Sequence, residues 1–181
     1  MTEKRQIRVL VTYSKTFYFL DRGQQRGLTY DLLEEFEKYV NKKIKAKTLK
    51  INVVYIPVRR DELIPGLVKG LGDIAVANLT ITSQRQKKAD FSNPLMTGVR
   101  ELLVTGPAAP SIASLDDLSG KEIHVRKSSS YYESLVELNA SFEKAGKQPI
   151  QLIAADETFE DEDLLEMVNA GLIPMIVMDS H

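Results

Sequence analysis

Cysteine is absent from the 181 residues. That excludes a disulfide framework, a thiolate metal site and a cysteine nucleophile. Tryptophan is also absent and aromatics make up only 7% of the chain, too few for a platform on which nucleic-acid bases stack. Basic residues are not in excess: the net charge is -1, without the electrostatic footprint of a nucleic-acid binder. The two histidines, His124 and His181, lie far apart, so no metal site is expected. No apolar run approaches the roughly 20 residues needed to span a bilayer, and residues 1–6 lack the apolar centre of a signal peptide. Gly-x-Gly-x-x-Gly, the phosphate-binding Gly-x-x-x-x-Gly-Lys-Ser/Thr and the Gly-x-Ser-x-Gly elbow are all missing. No cofactor and no catalytic residue are therefore assigned. What is present, 43% hydrophobic and 27% charged residues, has the balance of a globular chain, with length for one large domain or two small lobes.

The periodicity reads strand–helix–strand–helix–strand, twice. In the first half, strands are expected at 7–12, 51–56 and 73–77. Helices are expected at 30–43, where Leu32, Leu33, Phe36, Tyr39 and Val40 recur at helical spacing, and at 61–69, ended by Gly70. The second half has strands at 122–126, 149–153 and 174–178. Its helices run from Ser130 to about Ala145 and over 160–170, stopped by Gly146 and Gly171. Such alternation predicts an α/β fold of two lobes, each a mainly parallel sheet flanked by helices. Residues 99–104 read as a strand leaving lobe one, and 106–110, Gly-Pro-Ala-Ala-Pro, as a turn. Lobe one is thus expected over 1–104, a hinge over 105–110 and lobe two over 111–181.

Ligands of open α/β sheets sit beyond the carboxyl ends of the strands, and the polar residues there are the ones to read. Arg85 follows the hydroxyl-rich turn at 80–84, and a guanidinium grips a carboxylate through two parallel hydrogen bonds. A surface ion pair is an equal alternative. Ser128, Ser129 and Ser130 end a strand and start a helix, where N–H and hydroxyl groups bind anions. Ser130 with Glu133 also reads as a capping box. Asp179, beside Ser180 and His181 after a buried strand, suits an ammonium or the cap of a following helix. The acidic run at 160–163 reads as a solvated first helical turn, favourable to the helix dipole.

Residues 63–67 and 72–85, with Gly72-Asp73-Ile74-Ala75-Val76-Ala77-Asn78 and Thr80-Ile81-Thr82-Ser83-Gln84-Arg85, resemble the central signature of bacterial solute-binding proteins of family 3, the polar amino-acid binders of ABC importers. Lys88-Ala89-Asp90-Phe91-Ser92-Asn93-Pro94, Gly27-Leu28-Thr29-Tyr30-Asp31-Leu32 and Leu115-Asp116-Asp117-Leu118-Ser119-Gly120-Lys121 extend the likeness over nearly the whole chain. The resemblance implies a two-lobed periplasmic-binding-protein-like fold of type II that closes on its ligand in an interlobe cleft. It implies Arg85 as the carboxylate clamp, Thr80 as its companion, Asn78 as a carbonyl near the ammonium, Ser129 and Ser130 as lobe-two donors, and Asp179 as the ammonium acceptor. Tyr13, Phe17 and Tyr18 would supply early aromatics, and Arg60 stands where the family often has an aromatic lid. Arg59 and Arg60, with no glycine in Lys127-Ser128-Ser129-Ser130, make an acidic or peptide-like ligand plausible.

A narrower likeness, through Lys127-Ser128-Ser129-Ser130-Tyr131-Tyr132-Glu133-Ser134-Leu135, residues 163–171 and Asp179-Ser180, is to the binding module of membrane-bound lytic transglycosylase F. There the module is regulatory and precedes a peptidoglycan-cleaving domain. Three readings follow: capture of an amino acid or small peptide for ABC-type uptake, ligand sensing for a lytic domain in the same chain, and a small α/β enzyme. The missing motifs argue against the third. The partners implied are a small ligand, possible muropeptides included, with an ABC permease or an in-cis lytic domain. The location implied is periplasmic, or membrane-anchored facing the periplasm, with the export signal not present in this chain. The abrupt stop after Asp179 leads us to expect a C-terminal truncation that leaves lobe one without its returning segment, and self-association through the exposed edge.

Overall fold

The computed structural model describes residues 5–46 and 48–180. The chain divides into two compact units, Met1–Ser92 and Asn93–His181. In the first, β1 (Gln6–Val11) leads to a hairpin of β2 (Phe19–Asp21) and β3 (Gln24–Arg26). Then come α1 (Leu28–Lys43), β4 (Asn52–Pro57), a single 3-10 turn, α2 (Leu63–Val68), β5 (Ile74–Ala75) and the short α3 (Ser83–Gln86). The parallel sheet has the order β4-β1-β5.

The central strand β1 is apolar on both faces, and this organises the unit. Ile7, Val9 and Val11 pack with Leu33 of α1, Ile51 and Tyr18. Leu10, on the opposite face, packs with Leu63 of α2 and Ala77. Complete burial of a leucine contributes about 1.5–3 kcal/mol. Gly72 lets the chain pass close to that leucine, since a Cβ there would lie 2.5 Å from Leu10 Cγ. The hairpin was not expected from the sequence. Its two-residue turn is Arg22-Gly23, both with positive φ (50° and 80°), the geometry that matches strand twist.

The second unit contains β6 (Glu101–Thr105), β7 (Glu122–Val125), α4 (Ser130–Lys144), β8 (Gln151–Ala154), α5 (Asp161–Asn169) and β9 (Met175–Asp179). Its sheet has the order β6-β9-β7-β8. One face, with Ile123, Val125 and Met175, packs on Leu135 and Phe142 of α4. The other, through Ile173 and Ile176, packs on Leu164 and Val168 of α5.

The division differs from the one expected. The segment at 99–104, read as leaving lobe one, pairs antiparallel with β9 from Glu101↔Asp179 to Thr105↔Met175. It therefore belongs to the second sheet, and the break falls at 92/93 instead of within 105–110. Strand pairing decides this, and an apolar strand does not carry its partner in its own sequence.

Each unit also locks its long helix to the next strand through an asparagine. Asn41 Nδ2 donates to Ile51 O (2.8 Å) and Ile51 N–H donates to Asn41 Oδ1 (2.8 Å). In the second unit Asn139 and Ile150 make the same two bonds, at 3.0 and 2.6 Å. A primary amide carries one donor and one acceptor side, so it completes an isolated peptide group in both senses.

Candidate functional site

In the first unit the candidates gather where β5 runs out. Asn78 adopts a positive φ of 48°, a conformation asparagine tolerates better than most residues, and the chain turns away from the sheet. Two carbonyls of this segment accept guanidinium groups. Arg60 Nη1 donates to Ala77 O at 2.8 Å, and Arg85 Nη1 donates to Thr80 O at 2.9 Å. Thr82 Oγ1 caps α3 by accepting the Arg85 N–H at 3.3 Å. Arg85 is buried, 9% exposed. Arg59 is committed elsewhere, bonded to Asp61 at 2.9 Å. Thr80 and Asn78 are exposed and Arg60 half-buried.

The early aromatics separate. Ser14 Oγ accepts the N–H groups of Thr16 and Phe17, and Ser14 N–H donates to Tyr18 O at 2.9 Å. This tight turn sends Tyr13 outward, 53% exposed, and folds Tyr18 back into the core at 4%. Tyr18 stacks on Tyr55 with centroids 5.4 Å apart, and its hydroxyl donates to Gln25. Burial first, then the neighbouring Tyr13 and Tyr30, raises its phenol above the ordinary range. Tyr18, expected among the ligand contacts, is thus a core residue, whereas Tyr13 is exposed and Phe17 half-buried. The turn rests on α1, whose Leu28 and Thr29 N–H groups donate to Thr16 O and Phe17 O. Gly27 (φ 113°) permits this approach, because a Cβ would lie 2.4 Å from Phe17 O.

In the second unit the serines divide their work. Ser129, not Ser130, caps α4: its hydroxyl accepts the Tyr132 N–H at 3.2 Å and donates to Arg126 O at 2.7 Å. The Ser130–Glu133 capping box therefore does not form, since Ser130 is already the first helical residue. Ser130 is 6% exposed, and among the described residues its hydroxyl has no hydrogen-bond partner. Ser128 is bound at N–H and hydroxyl by the two carboxylate oxygens of Glu157.

The acidic run at 160–163 is not simply solvated. Arg126, 2% exposed at the end of β7, reaches into it. Its guanidinium donates to Phe159 O and to Asp161, with Glu160 4.0 Å away and 4% exposed. Asp161 also accepts the Tyr131 hydroxyl at 3.3 Å, and Tyr131 Oη accepts the Asp179 N–H at 3.1 Å. A buried cation needs paired anions, and that need draws the first turn of α5 inward. Sequence reading missed Arg126, Tyr131 and Asp161. The available signal was an arginine at the end of a buried strand, and an acidic run more than thirty residues later.

Asp179 ends β9 instead of following it. Among the described residues its carboxylate makes no ion pair. Glu101 stands directly opposite in the ladder. Its carboxyl is raised above the ordinary range, by desolvation first and by the charges of Asp179 and Glu133, while a hydrogen bond with Ser134 works the other way. Like charges opposed across a ladder repel, so these two acidic groups make this sheet end locally negative. His181 lies outside the described residues. Among those residues no helix is long and apolar enough to cross a membrane.

The chain is 29% identical over 172 residues to the membrane-bound lytic murein transglycosylase F of Desulfosudis oleivorans, covering 95% of this chain and 34% of that protein. The same enzyme of Shewanella halifaxensis is 28% identical over 179 residues. The chain spans about a third of the length of these curated relatives. Among solved structures, an ancestral arginine-binding protein bound to arginine superposes with a TM-score of 0.70 at 27% identity, covering 96% of this chain and 70% of that one. An ancestral amino acid-binding protein, a precursor of cyclohexadienyl dehydratase, superposes with a TM-score of 0.75 at 26% identity, covering 99% and 72%. These neighbours carry the type II periplasmic-binding-protein fold that the resemblance implied, and the matched segment is a binding module, not a catalytic domain. The family profile matches residues 7–176, and the chain belongs to the bacterial extracellular solute-binding proteins, family 3.

Proposed function

We propose that this chain reversibly captures an amino acid or a small peptide-like ligand, holding the α-carboxylate through Arg85 and the α-ammonium through Asp179. In this reading Arg85 makes two parallel hydrogen bonds to the carboxylate and the Thr80 hydroxyl assists. Ser130 and the first N–H groups of α4 add donors for the same anion. Asn78, Arg60, Tyr13 and Phe17 meet the rest of the ligand, while Ser129 holds the turn. Each unit supplies one charged group, so a ligand bound to both favours the state in which both reach it.

The observation that carries the reading is Asp179, a strand-end carboxylate without an ion pair among the described residues, opposite Glu101 in the ladder. Such a field favours a cationic group and disfavours an anionic one. The arginine-binding and amino acid-binding neighbours support the ligand class. Family membership supports delivery to an ABC permease, and a place in the periplasm or on a membrane facing it. A second reading, a ligand-sensing module joined to a lytic transglycosylase domain, is favoured by the relatives of which this chain spans about a third. Muropeptides are then the alternative ligands.

Titration calorimetry against the twenty amino acids, their α-amides and purified muropeptides tests both. Binding of a free amino acid that disappears with its α-amide supports the first reading. Binding of muropeptides alone supports the second. Heat from none of them at millimolar ligand overturns both.

A further inference from the structure

Resting on the role proposed for Asp179, we infer that Tyr131 is a positioning residue that sets the backbone of Asp179 and thereby aims its carboxylate. The reason lies in how the sheet opens at this end. Successive N–H groups along a strand point to opposite edges. Ser180 N–H donates to Arg100 O on the β6 side, so the Asp179 N–H faces the β7 side. There β7 gives out. It pairs with β9 at a single position, His124↔Ile176. The Val125 carbonyl takes the Ala155 N–H, and the Arg126 carbonyl turns into the approach to α4, where Ser129 N–H and hydroxyl occupy it. No β7 carbonyl remains for Asp179.

Tyr131 Oη fills that place, accepting the Asp179 N–H at 3.1 Å. Its own proton goes to Asp161 at 3.3 Å, and Asp161 is in turn held by Arg126. The phenol is 6% exposed and is kept protonated by burial first and by the charges of Asp161 and Asp179. It therefore acts as acceptor towards β9 and donor towards α5 at once. The chain of bonds joins the end of β7, the first turns of α4 and α5, and the last residue of β9. The carboxylate that meets the ligand is thus referred to three other elements of its unit, and a fixed first contact needs such a support.

The test uses Tyr131→Phe, which keeps the ring and removes the bond, with L-arginine and 5-guanidinopentanoate, the same molecule without its α-amino group, as probes. We expect the variant to bind L-arginine about five- to tenfold more weakly, with 5-guanidinopentanoate unchanged, and the Asp179 amide to exchange its hydrogen faster. Equal losses for both probes, or none, would overturn the positioning role, because a purely structural defect does not distinguish them. Asp179→Asn in the same titrations separates the two ideas. If it fails to discriminate the probes, the proposed ligand role falls; in that case, or where L-arginine does not bind, amide exchange alone decides the positioning. An Asp179 amide as protected in Tyr131→Phe as in the unaltered chain would overturn it.

Discussion

The two units solve the same structural problem in the same way and the chemical one in opposite ways. Asn41 and Asn139 clamp Ile51 and Ile150 with matching pairs of hydrogen bonds, although no sequence repeat joins the halves. At the carboxyl ends of their strands they part. The first unit gathers arginines, and Arg60 and Arg85 lean on the carbonyls of Ala77 and Thr80. The second buries Arg126 among the acids that open α5 and, among the described residues, leaves Asp179 without an ion pair. Carboxylates both orient and neutralise the Arg126 guanidinium. The difference teaches that a shared α/β frame can present a cation from one unit and an anion from the other.

The largest expected effect breaks that division of charge. Arg85→Ala should weaken any α-carboxylate ligand by about 2–5 kcal/mol, mostly through the off-rate, because one partner of a buried charge pair is lost. Calorimetry with stopped-flow release reads it. A loss within about 0.5 kcal/mol would show that the first unit does not supply the clamp.

The locks come next. Asn41→Ala strands both peptide groups of Ile51, at about 1–3 kcal/mol for each buried group left unsatisfied. Asn41 is buried at 9%, while Asn139 is half-buried and water can replace part of what it provides. We expect Asn41→Ala to destabilise by about 2–4 kcal/mol and Asn139→Ala by about half as much. Urea unfolding of both variants checks the order, and equal losses would mean that burial does not set the strength of the lock.

The smallest effect sharpens the comparison through acid. Asp73 is held down to about 2, by its side-chain hydrogen bond from Arg8 first and by the Arg8 N–H next. Its unfolded value lies near 4, so its contribution is complete above about pH 4 and is lost as pH falls towards 2. Arg8 is 39% exposed and solvent screens the pair, so Asp73→Asn should cost only about 1 kcal/mol at neutral pH. In the second unit burial holds His124 below its ordinary 6.5. That unit's contribution is complete above about pH 6.5 and falls as pH drops below it. Amide exchange followed from pH 7 to 3 should therefore loosen the second unit first. His124→Gln should remove the early step, and its persistence would assign acid sensitivity elsewhere.

Much of the fold was legible in the chain. The apolar run of β1, the helical spacing over α1 and the stops at Gly70, Gly146 and Gly171 are local signals, and these elements stand close to where those signals put them. Arg85 and Asp179 stood out as candidates because apolar runs precede them, Asp179 as the last residue of β9 and Arg85 after the turn that follows β5. The hairpin of β2 and β3 was missed because its strands are three residues each, too short to show a period. Tyr18 was misplaced because Tyr13, Phe17 and Tyr18 look alike in sequence, and only the turn at Ser14 decides which ring enters the core.

The sequence by itself determined the longer elements and their order, because propensity, periodicity and turn chemistry act over a few residues. Only the tertiary structure decided which sheet received β6, which serine capped α4 and why the acids at 160 and 161 turn inward. Those outcomes depend on groups far apart in the chain. A strand needs a partner for its peptide groups, and a buried guanidinium needs anions. Neither need names its partner until the chain has folded.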